Sequence, residues 1–203
     1  MSRYVHNVNA IKVRLDLGEM MKRLKIAQIK PHFLWALLLT ACVSSAPNGT
    51  FDKQQAAKAR VELAIGYLYQ QDLAQAKLNL DKALSYAPDY YLVHSALAYF
   101  YQKQGLIEQA DQAYIKSIDL NPEQGDVLNN YGTFLCEQGH FERAYTQFRQ
   151  ALNTPNYYHQ ADTFENLALC AYAQNNPMIY QENIQQLEKI APARAMQLKT
   201  RLK

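Results

Sequence analysis

From residue 57 onward the small and apolar positions of the chain recur with a fixed step. Ala64, Ala98 and Gly132 are spaced by 34 residues, as are Ala76, Ala110 and Ala144, and Ala83, Ser117 and Ala151. Leu63, Leu97 and Tyr131 precede the first set, and Tyr67, Tyr101 and Leu135 follow it. Pro88 and Pro122 keep the same interval. Within each unit the apolar residues return at three and four, which places one buried stripe on a helix. Gly105, Gly139 and Asn175 fall where each first helix should end, and a left-handed cap there favours Gly or Asn. Two helices per unit follow, crossing where small residues let their axes approach. A self-similar period of this length implies units that stack and share a continuous core.

The pattern resembles the tetratricopeptide repeat, a 34-residue helix–turn–helix unit. Residues 57–90, 91–124 and 125–158 make three such units. A fourth starts after Asn156-Tyr157-Tyr158-His159-Gln160, where two extra residues break the step, and contributes Leu167, Ala168, Ala171 and Pro192. The resemblance implies an all-α tetratricopeptide-repeat superhelix over residues 56–203, of about four repeats plus a short C-terminal helix at Ala193–Leu202. Tyr180 stands where the fourth unit should carry a small residue, so that unit is expected to pack less closely.

The N-terminal segment reads differently. Lys22-Arg23-Leu24-Lys25 is a basic run, and the nine residues Phe33–Ala41 are apolar. As a helix they rise only about 13 Å, short of a roughly 30 Å hydrocarbon core. Residues 1–41 therefore read as a signal peptide, whose natural start is expected at Met20 or Met21. Leu39-Thr40-Ala41-Cys42 resembles the lipobox of bacterial lipoproteins, which implies lipidation of Cys42 with diacylglycerol and palmitate. The alternative is an ordinary leader that happens to end in Cys. Residues 42–55, small and polar at first, suit a tether between acyl chains and a folded domain. Val43 in place of Asp favours the outer membrane under the enterobacterial sorting rule. The expected location is the periplasmic face of that membrane.

Charge follows the same division. Of 21 Lys/Arg and 18 Asp/Glu, seven and two lie in residues 1–41, leaving 14 and 16 for the rest. The mature part is thus mildly acidic and carries no Lys/Arg cluster of the kind a phosphate backbone needs, so no nucleic acid is expected as partner. With Cys42 committed to lipid, Cys136 and Cys170 remain, on the first helices of successive repeats. A bridge between them suits an oxidising compartment, and two buried thiols acting as small hydrophobes are the other reading. Cys136 and His140 share a helical spacing, but no second pair completes a metal site. Asp162 and Glu165 share a helix face and read as a solvated edge. No phosphate loop and no nucleophile–base arrangement is recognisable. Neither an enzyme nor a cofactor is expected.

Stacks of this kind present a concave face lined by the first helices. Positions 2, 5, 9 and 12 of those helices are Lys58, Val61, Ile65 and Leu68, then Leu92, Ser95, Tyr99 and Gln102, then Asp126, Asn129, Thr133 and Cys136. A partner groove is expected from Val61, Ile65, Leu68, Tyr99, Gln102, Asn129 and Thr133. Ile65, Leu68 and Tyr99 would serve as apolar contacts and Asn129 as a polar clamp on peptide backbone. The competing reading is that Ile65 and Leu68 only touch the neighbouring first helix.

The wording of the repeats is more specific than the general pattern. Ala59–Ala64, Ala76–Ala83, Asn129–Cys136 and Glu165–Cys170 look like the type IV pilus biogenesis/stability lipoprotein family (PilF/PilW). That resemblance implies an outer-membrane pilotin, which helps the secretin subunit of the type IV pilus reach the outer membrane and form its ring. The implied partners are that secretin and, through the acyl chains on Cys42, the membrane. A second class remains open: a repeat-built scaffold lipoprotein that recruits peptidoglycan enzymes.

Overall fold

The computed structural model describes residues 52–202. The leader and Cys42 lie outside them. The helices are α1 (Lys53–Tyr69), α2 (Leu73–Tyr86), α3 (Tyr91–Lys103), α4 (Ile107–Leu120), α5 (Gly125–Glu137), α6 (Phe141–Leu152), α7 (Gln160–Ala173), α8 (Pro177–Ile190) and α9 (Pro192–Arg201). Each odd helix from α1 to α7 pairs antiparallel with the helix after it, and the four pairs stack through α2–α3, α4–α5 and α6–α7 contacts, with α1–α3 and α5–α7 also touching. This is the tetratricopeptide-repeat superhelix.

Local sequence sets the helix ends. Asp52 caps α1 by accepting from the backbone N–H of Gln54 at 2.9 Å and of Gln55 at 3.1 Å. Asp72 does the same for Gln75 at α2, and Asn176 accepts from Ile179 at α8, whose first turn holds Pro177. Each satisfies a backbone donor that the first turn leaves free. α1 starts three residues inside the segment read as tether, because Asp52 supplies the cap. Gly105 (φ 71°), Gly139 (φ 77°) and Asn175 (φ 59°) occupy the left-handed slot after α3, α5 and α7. Gln71 (φ 62°) fills the same slot after α1, a position where the sequence gives no Gly or Asn signal.

The small residues sit at the helix crossings. Ala64, Ala76, Ala83, Ala98, Ala110, Ala144, Ala151 and Ala168 are fully buried. Larger side chains on the second helices fill the space beside them: Leu80, Tyr114, Phe148 and Ile184. In the third pair the crossing residue is Gly132, and a Cβ there would lie 2.7 Å from Cδ1 and Cε1 of Phe148. Successive pairs interlock through the residue just before the small one. Tyr131 stacks on Tyr114 of the preceding pair, with ring centroids 5.3 Å apart. Leu97, Tyr131 and Leu167 are buried this way, whereas Leu63 is 49% exposed, since no earlier repeat precedes it among the described residues.

The two extra residues before α7 are accommodated by Tyr157. Its ring lies against Gly125, where an added Cβ would sit 2.4 Å from Cδ2, and its hydroxyl pairs with Thr163 Oγ1 at 2.8 Å. Burial pushes the Tyr157 phenol up to about 12. At the far end α9 closes the stack with Ala195 and Leu198 against Ala168, Ile184 and Leu187. Arg194 reaches Asp162 Oδ1 at 2.7 Å and donates to Glu165 Oε2. Asp162 and Glu165 are therefore the anchor for α9, not a solvated edge. Burial works against the Arg194 charge, but the Glu165 and Asp162 hydrogen bonds outweigh it and raise its pKa.

Candidate functional site: the concave face

The concave face is formed by α1, α3, α5 and α7 side by side. Residues spaced by seven and eleven fall within about 20° of one line along a helix, so Lys58, Ile65 and Tyr69 form one row on α1. Leu92, Tyr99 and Lys103 form the matching row on α3. Lys58 and Lys103 are exposed, Ile65, Leu92 and Tyr99 are half-buried, and Tyr69 is 74% exposed. The Lys103 ammonium lies 5.0 Å from the centroid of the Tyr99 ring. Tyr69 and Lys103 were not among the expected groove residues. Their place eleven residues after Lys58 and Leu92 is the signal that could have found them.

Several expected groove residues belong to the core. Val61 is 4% exposed and Leu68 6%, and both join the hydrophobic cluster shared with Val93, Ala96 and Phe100. They lie on the α1 flank that meets α3, and side-by-side packing of first helices covers that flank. Asn129 is also buried, at 8%. Its Oδ1 accepts from Asn166 Nδ2 at 3.1 Å, so it ties α5 to α7 and is no free clamp. Gln102 is half-buried and committed too: its Oε1 accepts from the Tyr114 hydroxyl at 3.0 Å, and its Nε2 donates to Glu137 at 2.7 Å. Thr133, half-buried, donates to the Asn129 carbonyl at 3.1 Å. Ile65 and Tyr99 keep a partly open surface while packing against the core.

The C-terminal half of the face is thus polar and internally paired. His159 Nδ1 lies 2.6 Å from Asp126 Oδ1, and that hydrogen bond with the nearby carboxylate charge raises the His159 pKa. Cys136 of α5 and Cys170 of α7 are joined by a disulfide, with Cα atoms 5.8 Å apart. This clamps the two first helices beneath the Asn129–Asn166 contact. With Cys136 bonded, it is no metal ligand for His140. Among the described residues no three His, Cys, Asp or Glu side chains are placed to hold a metal ion, and no helix is long and apolar enough to cross a membrane.

On the opposite side, between α4 and α6, lies a hollow of about 400 Å³ lined by Ile115, Tyr131, Arg143 and Gln147. Tyr131 and Arg143 are engaged there with Asp111, whereas Gln147 Oε1 is buried without a hydrogen-bond partner among the described residues. The Tyr131 hydroxyl donates to Asp111 at 2.8 Å and accepts from Arg143 at 2.6 Å. Burial and the Asp111 hydrogen bond push the Tyr131 phenol upward. On the α1–α3 half of the concave face, Ile65, Tyr69, Leu92 and Tyr99 leave apolar surface open, with the exposed Lys58 and Lys103 beside them.

Comparison with known proteins agrees with the repeat geometry. Tetratricopeptide-repeat family models match residues 93–124 and 113–146. An uncharacterized protein of Haemophilus influenzae is 54% identical over 80% of this chain and 90% of its own length. The type IV pilus assembly protein PilF of Pseudomonas aeruginosa is 35% identical over 71% of this chain. This chain spans 59% of that protein's length. A solved structure of Pseudomonas aeruginosa PilF superposes with a TM-score of 0.65 at 32% identity, covering 69% of this chain and 63% of that one. The crystal structure of PilW, described as a widely conserved type IV pilus biogenesis factor, shares the fold with a TM-score of 0.63 at 24% identity. That match covers 68% of this chain and 63% of that one.

Proposed function

We propose that this tetratricopeptide-repeat chain, which belongs to one family with the uncharacterized Haemophilus influenzae protein, is an outer-membrane lipoprotein of type IV pilus biogenesis. In this reading it binds the pilus secretin and aids its outer-membrane localisation and multimerisation. The observation that carries the reading is the 35% identity to PilF over 149 residues, with the same stacked fold. The part played by the concave face follows from its chemistry. Two parallel first helices offer an aliphatic and aromatic strip edged by lysines, which can hold a segment of a subunit before a ring closes around it.

The anchor belongs to the same proposal. Each buried methylene contributes about 0.8 kcal/mol, so two or three acyl chains hold a protein at a membrane essentially permanently. Cys42→Ser is expected to block lipidation and ordinary maturation and to impair secretin assembly. Trp35 is the only Trp in the sequence, so a chain cleaved before Cys42 lacks Trp fluorescence. A Trp signal from the purified membrane-bound protein would show that the leader is retained. Partner identity is tested by crosslinking in intact cells and purifying the chain. Recovery of the secretin subunit supports the proposal, and recovery of peptidoglycan hydrolases or synthases without it identifies a scaffold instead.

A further inference from the structure

The open half of the concave face has a charge pattern that selects among segments a partner could offer. On α1 and α3 the two rows carry Lys58 and Lys103 at diagonally opposite corners, with Ile65, Tyr69, Leu92 and Tyr99 between them. Neither lysine forms an ion pair with another described residue. The Lys103 ammonium rests on the Tyr99 ring instead. Glu62 is exposed on α1 beside Lys58, and Glu137 of α5 reaches Gln102, the chain neighbour of Lys103. Further along, acids replace the lysines at the same register: Asp126 takes the place of Lys58 and Glu137 that of Lys103. Those acids are occupied, Asp126 by His159 and Glu137 by Gln102. Asp162 and Glu165 are held by Arg194. A bound acidic segment would be attracted by α1 and α3 and repelled from α5 onward.

We infer that the partner segment is an acidic, extended peptide that places two carboxylates against Lys58 and Lys103, with apolar side chains on Ile65, Leu92 and Tyr99 between them. The inference rests on the concave face being the partner site. Its spacing comes from helix geometry. Eleven residues along a helix rise roughly 16 Å, and neighbouring axes are about 8–10 Å apart, so the Lys58 and Lys103 backbone positions lie roughly 19 Å from each other. An extended chain advances about 3.3 Å per residue, which puts the two acids about six residues apart. Charges of one sign at such corners set specificity and orientation more than total affinity.

The probe is a fluorescent synthetic peptide with two aspartates about six residues apart and leucine and phenylalanine between them. The control carries lysines in place of the aspartates. Binding to the full chain in detergent is read by anisotropy at low and high salt. The acidic peptide binds and weakens with salt, and the lysine peptide binds at least about tenfold more weakly. The double variant Lys58→Glu and Lys103→Glu reverses that order. Its fold is retained, because both side chains are exposed, and its melting temperature falls only slightly with loss of the Lys103–Tyr99 contact. Equal binding of the two peptides, binding of neither by folded protein, or an unchanged preference in the double variant overturns the inference. Secretin multimers in cells carrying the double variant separate the two claims. Normal multimers with lost acidic-peptide binding would leave peptide recognition standing and remove its link to secretin.

Discussion

Gly132 offers the most direct test of how the small-residue crossings set the packing. Repeats one, two and four carry Ala at this position, all fully buried, and only repeat three carries Gly. Its partner across the crossing is Phe148, also fully buried, whose Cδ1 and Cε1 would stand 2.7 Å from an added Cβ. Carbon atoms prefer about 3.5–4.0 Å, so Gly132→Ala forces the ring or the helix to move by roughly 1 Å. In a close-packed core such a shift costs about 1–3 kcal/mol. The gain in helix propensity from Gly to Ala is about 1 kcal/mol, so the net effect is a loss of up to about 2 kcal/mol. Phe148→Leu alone leaves a void and costs about 1–2 kcal/mol. Together the two changes recreate the Ala64–Leu80 pairing of repeat one. The double variant should be no less stable than the worse single variant, with a coupling of about 1–3 kcal/mol. Urea unfolding followed by circular dichroism measures all three. Strict additivity, or a Gly132→Ala variant that is more stable by the full propensity gain, would refute the steric argument.

Three further outcomes follow from the same structure. Reducing the Cys136–Cys170 bond, which closes a loop at sequence separation 34, removes about 3–4 kcal/mol by chain-entropy arguments, and melting with and without reductant reads the loss. Leu68→Asp buries an unpaired charge in the α1–α3 seam and should abolish cooperative unfolding, whereas Lys58→Asp leaves it intact; a stable, helical Leu68→Asp protein would return that residue to the groove. The His159–Asp126 pair contributes stability below the ordinary His value near 6.5 and loses it as pH rises through the raised folded value. Both groups are more than half exposed, so the effect is well under 1 kcal/mol, and a His159→Gln variant should flatten a small decline in melting temperature as pH rises past the ordinary His value near 6.5.

The fold was legible because its signal is a repeat. Ala64, Ala98 and Gly132 mark one crossing three times, and a period seen three times fixes helix pairing and the small residues of the crossings together. Gly105, Gly139 and Asn175 marked their turns for a local steric reason that sequence carries directly. The concave face was legible only in part. Val61 and Leu68 sit at positions that line a groove in the general pattern, and only the closeness of α1 to α3 decides that they are covered. Asn129 and Gln102 are polar and read as available, yet their partners Asn166, Tyr114 and Glu137 come from other helices, which no local pattern reveals. Asp162 and Glu165 were misread for the same reason, since Arg194 comes from α9.

The central claim is tested most directly in membranes of cells from which this gene has been deleted. Secretin multimers, resolved from subunits by electrophoresis, should be lost, with the subunit left in the inner membrane. Restoring the wild-type chain should bring the multimers back, and Cys42→Ser should not. Normal multimers in the outer membrane of the deletion strain would contradict the account.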